Sequence, residues 1–211
     1  MKINSIKYFK CNTCQANDLA LSNDLTQMYP GSKEQILKGI LECRNCKNIV
    51  EIFNGVPSFI EFNDATNVEK KTSIHYGSGW VDNYNEGENS TNEKWHYDEL
   101  IKVNKFPYDK KGIGFEAGCG HGKDTVRLSL ANPNSEIIAI DISDGAYITQ
   151  KRIINLGIKN VTVIRSDLSN IPIVEKYCDW GYSFGVLHHM PNPLNGFKEV
   201  SRILKRDGEI T

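Results

Sequence analysis

The sequence predicts an α/β protein, with a doubly wound, mostly parallel sheet in its C-terminal half and a small β-rich unit ahead of it. Two observations predict this. From residue 112, apolar stretches of strand length alternate with helix-length stretches in the order β-α-β-α-β-β, and strands separated by helices pair in parallel with right-handed crossovers. Before residue 60, short alternating stretches surround four cysteines set in two Cys-x-x-Cys pairs.

Residues 38–42 and 49–53 alternate apolar with polar side chains, as half-buried strands do. Asn54-Gly55 marks a turn between strands, and Pro57 closes the segment. Residues 61–93 are rich in Asn, Glu, Ser and Gly and read as a linker or lid, interrupted by aromatic residues around Tyr76 and Trp80. Trp95, Ile101 and Val103 suggest a helix leading onward. Strands are then expected at 112–116, 136–141, 161–166 and 180–184, with helices at 123–131, 145–156 and 195–205. Gly157 is placed to cap the second of these helices. The division is therefore residues 1–60, a linker or lid at 61–93, and a second domain at 94–211.

Composition narrows the function. A chain of 211 residues with 39% hydrophobic and 24% charged residues can bury a sizeable core. Its net charge of -1 supplies no global pull toward nucleic acid or anionic membrane. Its apolar runs fall well short of the roughly 20 residues that span a bilayer. Met1 to Ser5 hold no apolar h-region, so a cytoplasmic, reducing setting is expected. There, six cysteines argue for metal or free thiols over disulfides.

Glu116-Ala117-Gly118-Cys119-Gly120-His121-Gly122 falls between a strand and a helix, where α/β folds bind ligands at the carboxyl edge of the sheet. Glycines let the backbone turn tightly and let a ligand lie against it, and the following helix offers unpaired N–H groups to an anionic group. Asp141 ends the next strand, where its carboxylate can accept both hydroxyls of a ribose. Asp167 ends the third strand, where it can accept an adenine amino group. For each aspartate, a helix cap or turn is the alternative.

With those residues in place, 112–210 resembles the methyltransferase domain of ubiquinone/menaquinone-type and many natural-product methyltransferases. The glycine motif matches 116–122, the ribose acid Asp141, and the adenine-side acid Asp167-Leu168. The fourth-strand stretch matches Ser183-Phe184-Gly185-Val186-Leu187-His188-His189-Met190, followed by Pro191-Asn192-Pro193. Arg206-Asp207 stands where the family usually has Pro-Gly. The resemblance implies a class I, Rossmann-like fold and S-adenosyl-L-methionine (SAM) as cofactor. It implies SAM contacts from Glu116, Gly118, Cys119, Gly120, Gly122, Asp141, Ile142, Asp167, Leu168 and Phe184. A nicotinamide-binding domain competes for the glycine loop, but its Gly-x-Gly-x-x-Gly spacing differs from the Gly-x-Gly-x-Gly found here.

Methyl transfer from a sulfonium requires an in-line nucleophile more than acid–base machinery. Where the acceptor is a hydroxyl or an acidic carbon, a general base helps, and His188 or His189 is the candidate, with only one expected to face the site. The alternative role for these histidines is a polar wall or a cap. Tyr76, Trp80 and Trp95 can close over the site or pack on the sheet. Cys119 fits the loop by its small size, and Cys178 reads as core.

Cys11, Cys14, Cys43 and Cys46 form a CxxC…CxxC set whose four thiolates can close a tetrahedral structural zinc shell, with disulfides or redox chemistry as alternatives. A unit of sixty residues with few large apolar side chains benefits from such a staple. Residues 36–60 resemble the zinc-ribbon subunit that activates tRNA and release-factor methyltransferases, here fused to its enzyme. Ile49-Val50-Glu51-Ile52 replaces its usual Tyr-Pro-Ile, so partner contacts differ. An rRNA guanine methyltransferase family also carries an N-terminal zinc domain, but with a His in its second metal pair.

The leading expectation is a SAM-dependent methyltransferase acting on a small molecule, with a structural zinc ribbon. An RNA or translation-factor methyltransferase, with nucleic acid as partner, and a SAM-binding regulatory module without turnover are the rivals. A strand is expected to begin at Glu209 and to stop at Thr211, a C-terminal truncation that leaves the fourth strand at or near an open edge. Cofactor binding with poor turnover, or completion by a homodimer, is the expected consequence. Asp141→Ala is expected to lose cofactor affinity with little effect on folding.

Overall fold

A computed structural model describes residues 1–22, 25–60 and 106–211. The linker at 61–93, the aromatic residues Tyr76, Trp80 and Trp95, and the helix expected near Ile101 and Val103 lie outside the described residues. In chain order the strands are β1 (Leu19–Leu21), β2 (Gln27–Met28), β3 (Ile36–Cys43), β4 (Ile49–Phe53), β5 (Val56–Ser58), β6 (Gly112–Ala117), β7 (Ser135–Asp141), β8 (Val161–Arg165), β9 (Cys178–Tyr182) and β10 (Leu204–Ile210). The α-helices among the described residues are α1 (Lys123–Ala131), α2 (Gly145–Asn155) and α3 (Pro193–Ile203).

The strands join one sheet in the order β1-β3-β4-β5-β8-β7-β6-β9-β10, with β2 paired to β3 off that path. From β5 to β10 every pairing is parallel, and from β1 to β5 every pairing is antiparallel. The parallel part is doubly wound about β6: the chain runs outward through β7 to β8, then returns to β9 on the other side of β6. Residues 1–60 and the C-terminal half thus share a sheet at the β5–β8 pairing, where Ser58 lies opposite Arg165 and Phe59 N–H donates to Arg165 O at 2.8 Å.

Period-two alternation divides the core between the two faces of this sheet. Ile138 and Ile140 of β7 and Ile164 of β8 face one cluster, while Ile137, Ala139 and Val163 face the other. A strand buried on both faces reads as a continuous apolar run, which is why β7 is the sequence Ser-Glu-Ile-Ile-Ala-Ile-Asp. Leu128 of α1 and Ala146 and Ile153 of α2 cover the second face. Val200 and Ile203 of α3 cover the first, together with Phe9, Cys11, Cys43 and Phe59 from the N-terminal residues. The opening residues form a 3-10 helix, Ile3–Tyr8, seated on the sheet. Ser5 Oγ and Thr162 Oγ1 lie 2.9 Å apart there, and Lys2 pairs with Glu136 at 2.8 Å.

One expectation about the chain end is corrected. β10 begins at Leu204, directly after α3, and not at Glu209. It pairs with β9, so among the described residues the fourth parallel strand lies near the open edge, as expected, one strand in from β10. Arg206 and Asp207 fall inside β10, where the register shifts between Leu204 and Glu209. Sequence periodicity could not reveal this, because Lys205 to Gly208 carry no apolar residue to mark a strand.

Phe9 is fully buried at the junction, its ring 4.8 Å from that of Tyr8 and 5.4 Å from that of Phe59. Phe9→Ala is expected to lower unfolding free energy by about 3–5 kcal/mol, read by urea denaturation. A loss below about 1 kcal/mol would mean that the junction contributes little to the folded state.

A candidate cofactor cleft and a cysteine quartet

The loops after β6, β7, β8 and β9 all leave the carboxyl edge of the parallel sheet beside the point where its winding reverses, the place where open α/β sheets form a crevice. A cleft of about 200 Å³ lies there. Its walls include Gly118 and Gly120 after β6, Asp141 and Ile142 after β7, and Asp167, Leu168 and Ser169 after β8. Gly185, Val186, His189, Met190, Pro191, Asn192 and Asn195 close the far side.

The loop after β6 turns through left-handed glycines, with φ of 85° at Gly118 and 82° at Gly122. Both are also held by close neighbours: a Cβ on Gly118 would stand 2.3 Å from Val186, and one on Gly122 would stand 2.7 Å from Thr149. The loop is pinned to the next strand by Asp141. One carboxylate oxygen of Asp141 accepts from Gly120 N–H at 2.7 Å, and the other accepts from Ser143 N–H and Oγ at 2.8 and 2.6 Å. Burial raises the Asp141 pKa above the ordinary carboxylate value, against the lowering effect of these hydrogen bonds. Asp141 therefore holds the loop as well as facing the cleft. Asp141→Ala would leave two buried N–H groups unpaired, at a cost of about 1–3 kcal/mol each, so a neutral effect on folding is not expected.

Of the residues assigned to cofactor by sequence, Gly118, Gly120, Asp141, Ile142, Asp167 and Leu168 line the cleft. Glu116, Cys119, Gly122 and Phe184 stand outside its lining. Glu116 is buried and accepts from Thr125 Oγ1, with its pKa raised well above the ordinary value by burial and then by Asp124. Cys119 is buried, which pushes its thiol pKa up. Asp167 accepts from Ser169 N–H at 2.7 Å, closing its own turn. His188 and His189 occupy one 3-10 turn, Leu187–His189, with ring centroids 3.9 Å apart. Successive residues of such a turn point about 120° apart, and of the two only His189 lines the cleft. Val186, Met190 and Asn192 belong to the fourth-strand motif but were not assigned to the site by sequence, and Ser169 and Asn195 carried no motif that could mark them beforehand.

The four cysteines come together within the N-terminal residues. All four Sγ atoms lie within 4.8 Å of one another, with Cys11 to Cys46 and Cys14 to Cys43 both at 3.6 Å. A tetrahedral zinc with Zn–S near 2.3 Å needs sulfurs about 3.8 Å apart, so the set fits that ion. The two turns are built alike. Cys11 N–H donates to Ala16 O and Gln15 N–H to Cys11 O, while Cys43 N–H donates to Asn48 O and Lys47 N–H to Cys43 O. Gln15 and Lys47 take matching left-handed φ of 63° and 64°.

Residues 115–211 match a family model described as a methyltransferase domain. The chain is 28% identical over 130 residues to a demethylmenaquinone methyltransferase of Staphylococcus aureus, covering 54% of this chain and 53% of that protein. It is 30% identical over 121 residues to an uncharacterized protein of Synechococcus, covering 56% of this chain and 29% of that one. The chain thus spans at most about half the length of these curated relatives. A [4+2]-cyclase crystal structure superposes with a TM-score of 0.55 at 19% identity, over 65% of this chain and 56% of that one, and shares the fold.

Burial of Glu116 sets a pH dependence. A carboxyl whose folded pKa is raised binds protons more tightly when folded, so its contribution to stability is full below about pH 4.5 and falls as pH rises toward the folded pKa. Glu116→Gln is expected to flatten that decline, so that the variant gains on the wild type from pH 5 to pH 7 in urea unfolding of the ligand-free protein. Parallel curves for the two proteins would contradict a raised Glu116.

Proposed function

We propose that this chain, whose residues 115–211 form a class I SAM-dependent methyltransferase domain, moves the methyl group of SAM onto a small-molecule acceptor and carries a structural zinc in its cysteine quartet. The observation that carries the reading is the cleft itself, where the left-handed glycine loop, Asp141 and Asp167 converge from three consecutive parallel strands. The sulfonium of SAM supplies an electrophilic methyl group.

The chain's own residues then have separable tasks. Asp141 accepts from the ribose hydroxyls, and the Gly118–Gly120 backbone lies along the methionine end. Asp167, with Ile142 and Leu168 as apolar walls, holds the adenine. On the far side, His189 faces the acceptor and takes its proton when the attacking atom is a hydroxyl or an acidic carbon, while His188 stays outside. Holding the acceptor in line at near-attack distance supplies the remaining acceleration. A small-molecule acceptor is supported by the likeness to a demethylmenaquinone methyltransferase and by the absence of a strong net positive charge. No helix of the described residues is long and apolar enough to cross a membrane. A reducing cytoplasm suits the six cysteines, none of which is joined in a disulfide.

Two measurements test this. Calorimetry with S-adenosylhomocysteine is expected to show binding by the wild type and a loss of at least about tenfold in Asp141→Ala, on the scale of hydrogen bonds to a charged group. Equal affinities would remove the ribose assignment. Metal analysis of the protein purified in reducing buffer is expected to find one zinc per chain, and none once Cys11 and Cys43 are both replaced by Ser. A metal-free, folded wild type would defeat the zinc reading. With an acceptor in hand, His189→Ala should slow turnover by about 10²-fold and His188→Ala by far less.

A further inference from the structure

The segment after β8 serves both the cleft and the cysteine turns. At its start, Asp167, Leu168 and Ser169 line the cleft. At its end it runs antiparallel to the residues entering the first cysteine turn. Phe9 bridges Ile173, Lys10 N–H donates to Pro172 O at 3.1 Å, and Val174 N–H donates to Tyr8 O at 3.0 Å.

Asn170 stands between the two. Its backbone N–H donates to Asp167 O at 3.2 Å, and its carbonyl accepts from Ser166 Oγ at 3.4 Å, which closes the cleft-side turn. Its side chain reaches the other way: Nδ2 donates to the Asn12 carbonyl at 3.0 Å, and Oδ1 accepts from Gln15 Nε2 at 3.2 Å. Asn12 lies inside the Cys11-x-x-Cys14 turn. Its Nδ2 donates to Phe59 O at 2.9 Å, and its Oδ1 accepts from Asn48 Nδ2 at 3.1 Å. Asn48 in turn accepts the N–H of Cys43, so Asn12 ties both cysteine turns to Asn170. On its other side the segment is braced by α3, where Glu199 accepts from Ile171 N–H and Arg202 donates to the carbonyls of Ile171 and Ile173.

We propose that Asn12 and Asn170 are positioning residues that make cofactor affinity in the cleft depend on metal bound at the cysteine quartet. The inference rests on the cofactor and zinc sites proposed above. Four thiolates closed on one ion fix the backbone of both turns, and with it the Asn12 carbonyl. Without the ion, the two turns lose the common centre that ties them together and are free to relax. Asn170 then loses its tie to the first cysteine turn, and the turn at 167–170 is left to its own hydrogen bonds and to the contacts that residues 171–174 make with α3 and residues 8–10. Coupling between two binding sites is reciprocal, so cofactor must hold the metal more tightly by the same factor. Because the Asn170 contacts are solvent-exposed, the factor sits at the low end of such couplings, about five- to tenfold.

The test is a cycle of four calorimetric titrations with S-adenosylhomocysteine: wild type and Asn170→Ala, each zinc-loaded and after chelation. The wild type is expected to weaken about five- to tenfold on losing zinc. Zinc-loaded Asn170→Ala, with one zinc per chain and an unchanged circular dichroism spectrum, is expected to be weakened by a similar factor and to lose less than about twofold more on chelation. Asn170→Gln, which keeps donor and acceptor, should recover most of the affinity. Saturating S-adenosylhomocysteine should slow zinc release to a chromogenic chelator in the wild type and not in Asn170→Ala, a readout that a merely structural role would not move. Affinity unchanged by chelation, or losses that simply add, would overturn the coupling while leaving both sites standing. A zinc-loaded wild type that fails to bind S-adenosylhomocysteine would overturn the cofactor reading itself, and a folded wild type without zinc would overturn the metal reading.

Discussion

Because β5 lies parallel to β8, the N-terminal residues and the C-terminal half enclose one core, and the placement of almost everything else follows. The pairing brings Phe59 to the end of β8, and the side chain of Asn12 then caps the Phe59 carbonyl. The first cysteine turn therefore cannot lie anywhere but beside the segment that leaves β8. Phe9, Cys11 and Cys43 share a cluster with Ile140, Ile164 and Leu168, so the packing behind the cysteine quartet is continuous with that beneath the loop after β8. Two units that the sequence divides at residue 60 are one body at the level of packing.

Within the cleft, Asp141 both lines the open space and holds its own walls together. Burying a carboxylate is unfavourable unless donors surround it, and here the protein supplies Gly120 N–H, Ser143 N–H and Ser143 Oγ from its own loops. The same bonds fix the glycine turn relative to β7. A ligand that approached this carboxylate would meet an acceptor already oriented. Glu116 differs in lacking such a set: a single hydroxyl donor faces it, and burial dominates its protonation.

Much of this was legible in the sequence. The bounds of β4 and α1 agree with expectation residue for residue, because period-two alternation and a glycine-to-helix transition are local signals. The glycine loop, Asp141 and Asp167 could be placed at strand ends because each follows an apolar run. The four cysteines could be grouped by spacing alone. What could not be read depends on contacts distant in sequence. Nothing in Val56-Pro57-Ser58 says that it will pair with β8. Asn12 and Asn170 are ordinary loop asparagines until the fold brings them together. Which of two adjacent histidines faces a cleft is decided by the pitch of one short turn, below what periodicity resolves.

The junction also has an order in time. Ser5 meets Thr162, and Asn12 meets Asn170, across 157 and 158 residues of chain. During synthesis from the N-terminus, the surface that Phe9 and the first cysteine turn will cover does not yet exist. The β3–β4 pairing and the two cysteine turns are local and can form early, whereas the contacts that bury Phe9 must wait for β8 and the segment after it. In that interval an apolar face of the N-terminal residues stands open to solvent and to other chains. A metal ion taken up early would hold those residues in shape until their partner emerges. The yield of folded protein, and not only its final stability, should then follow the supply of metal during expression.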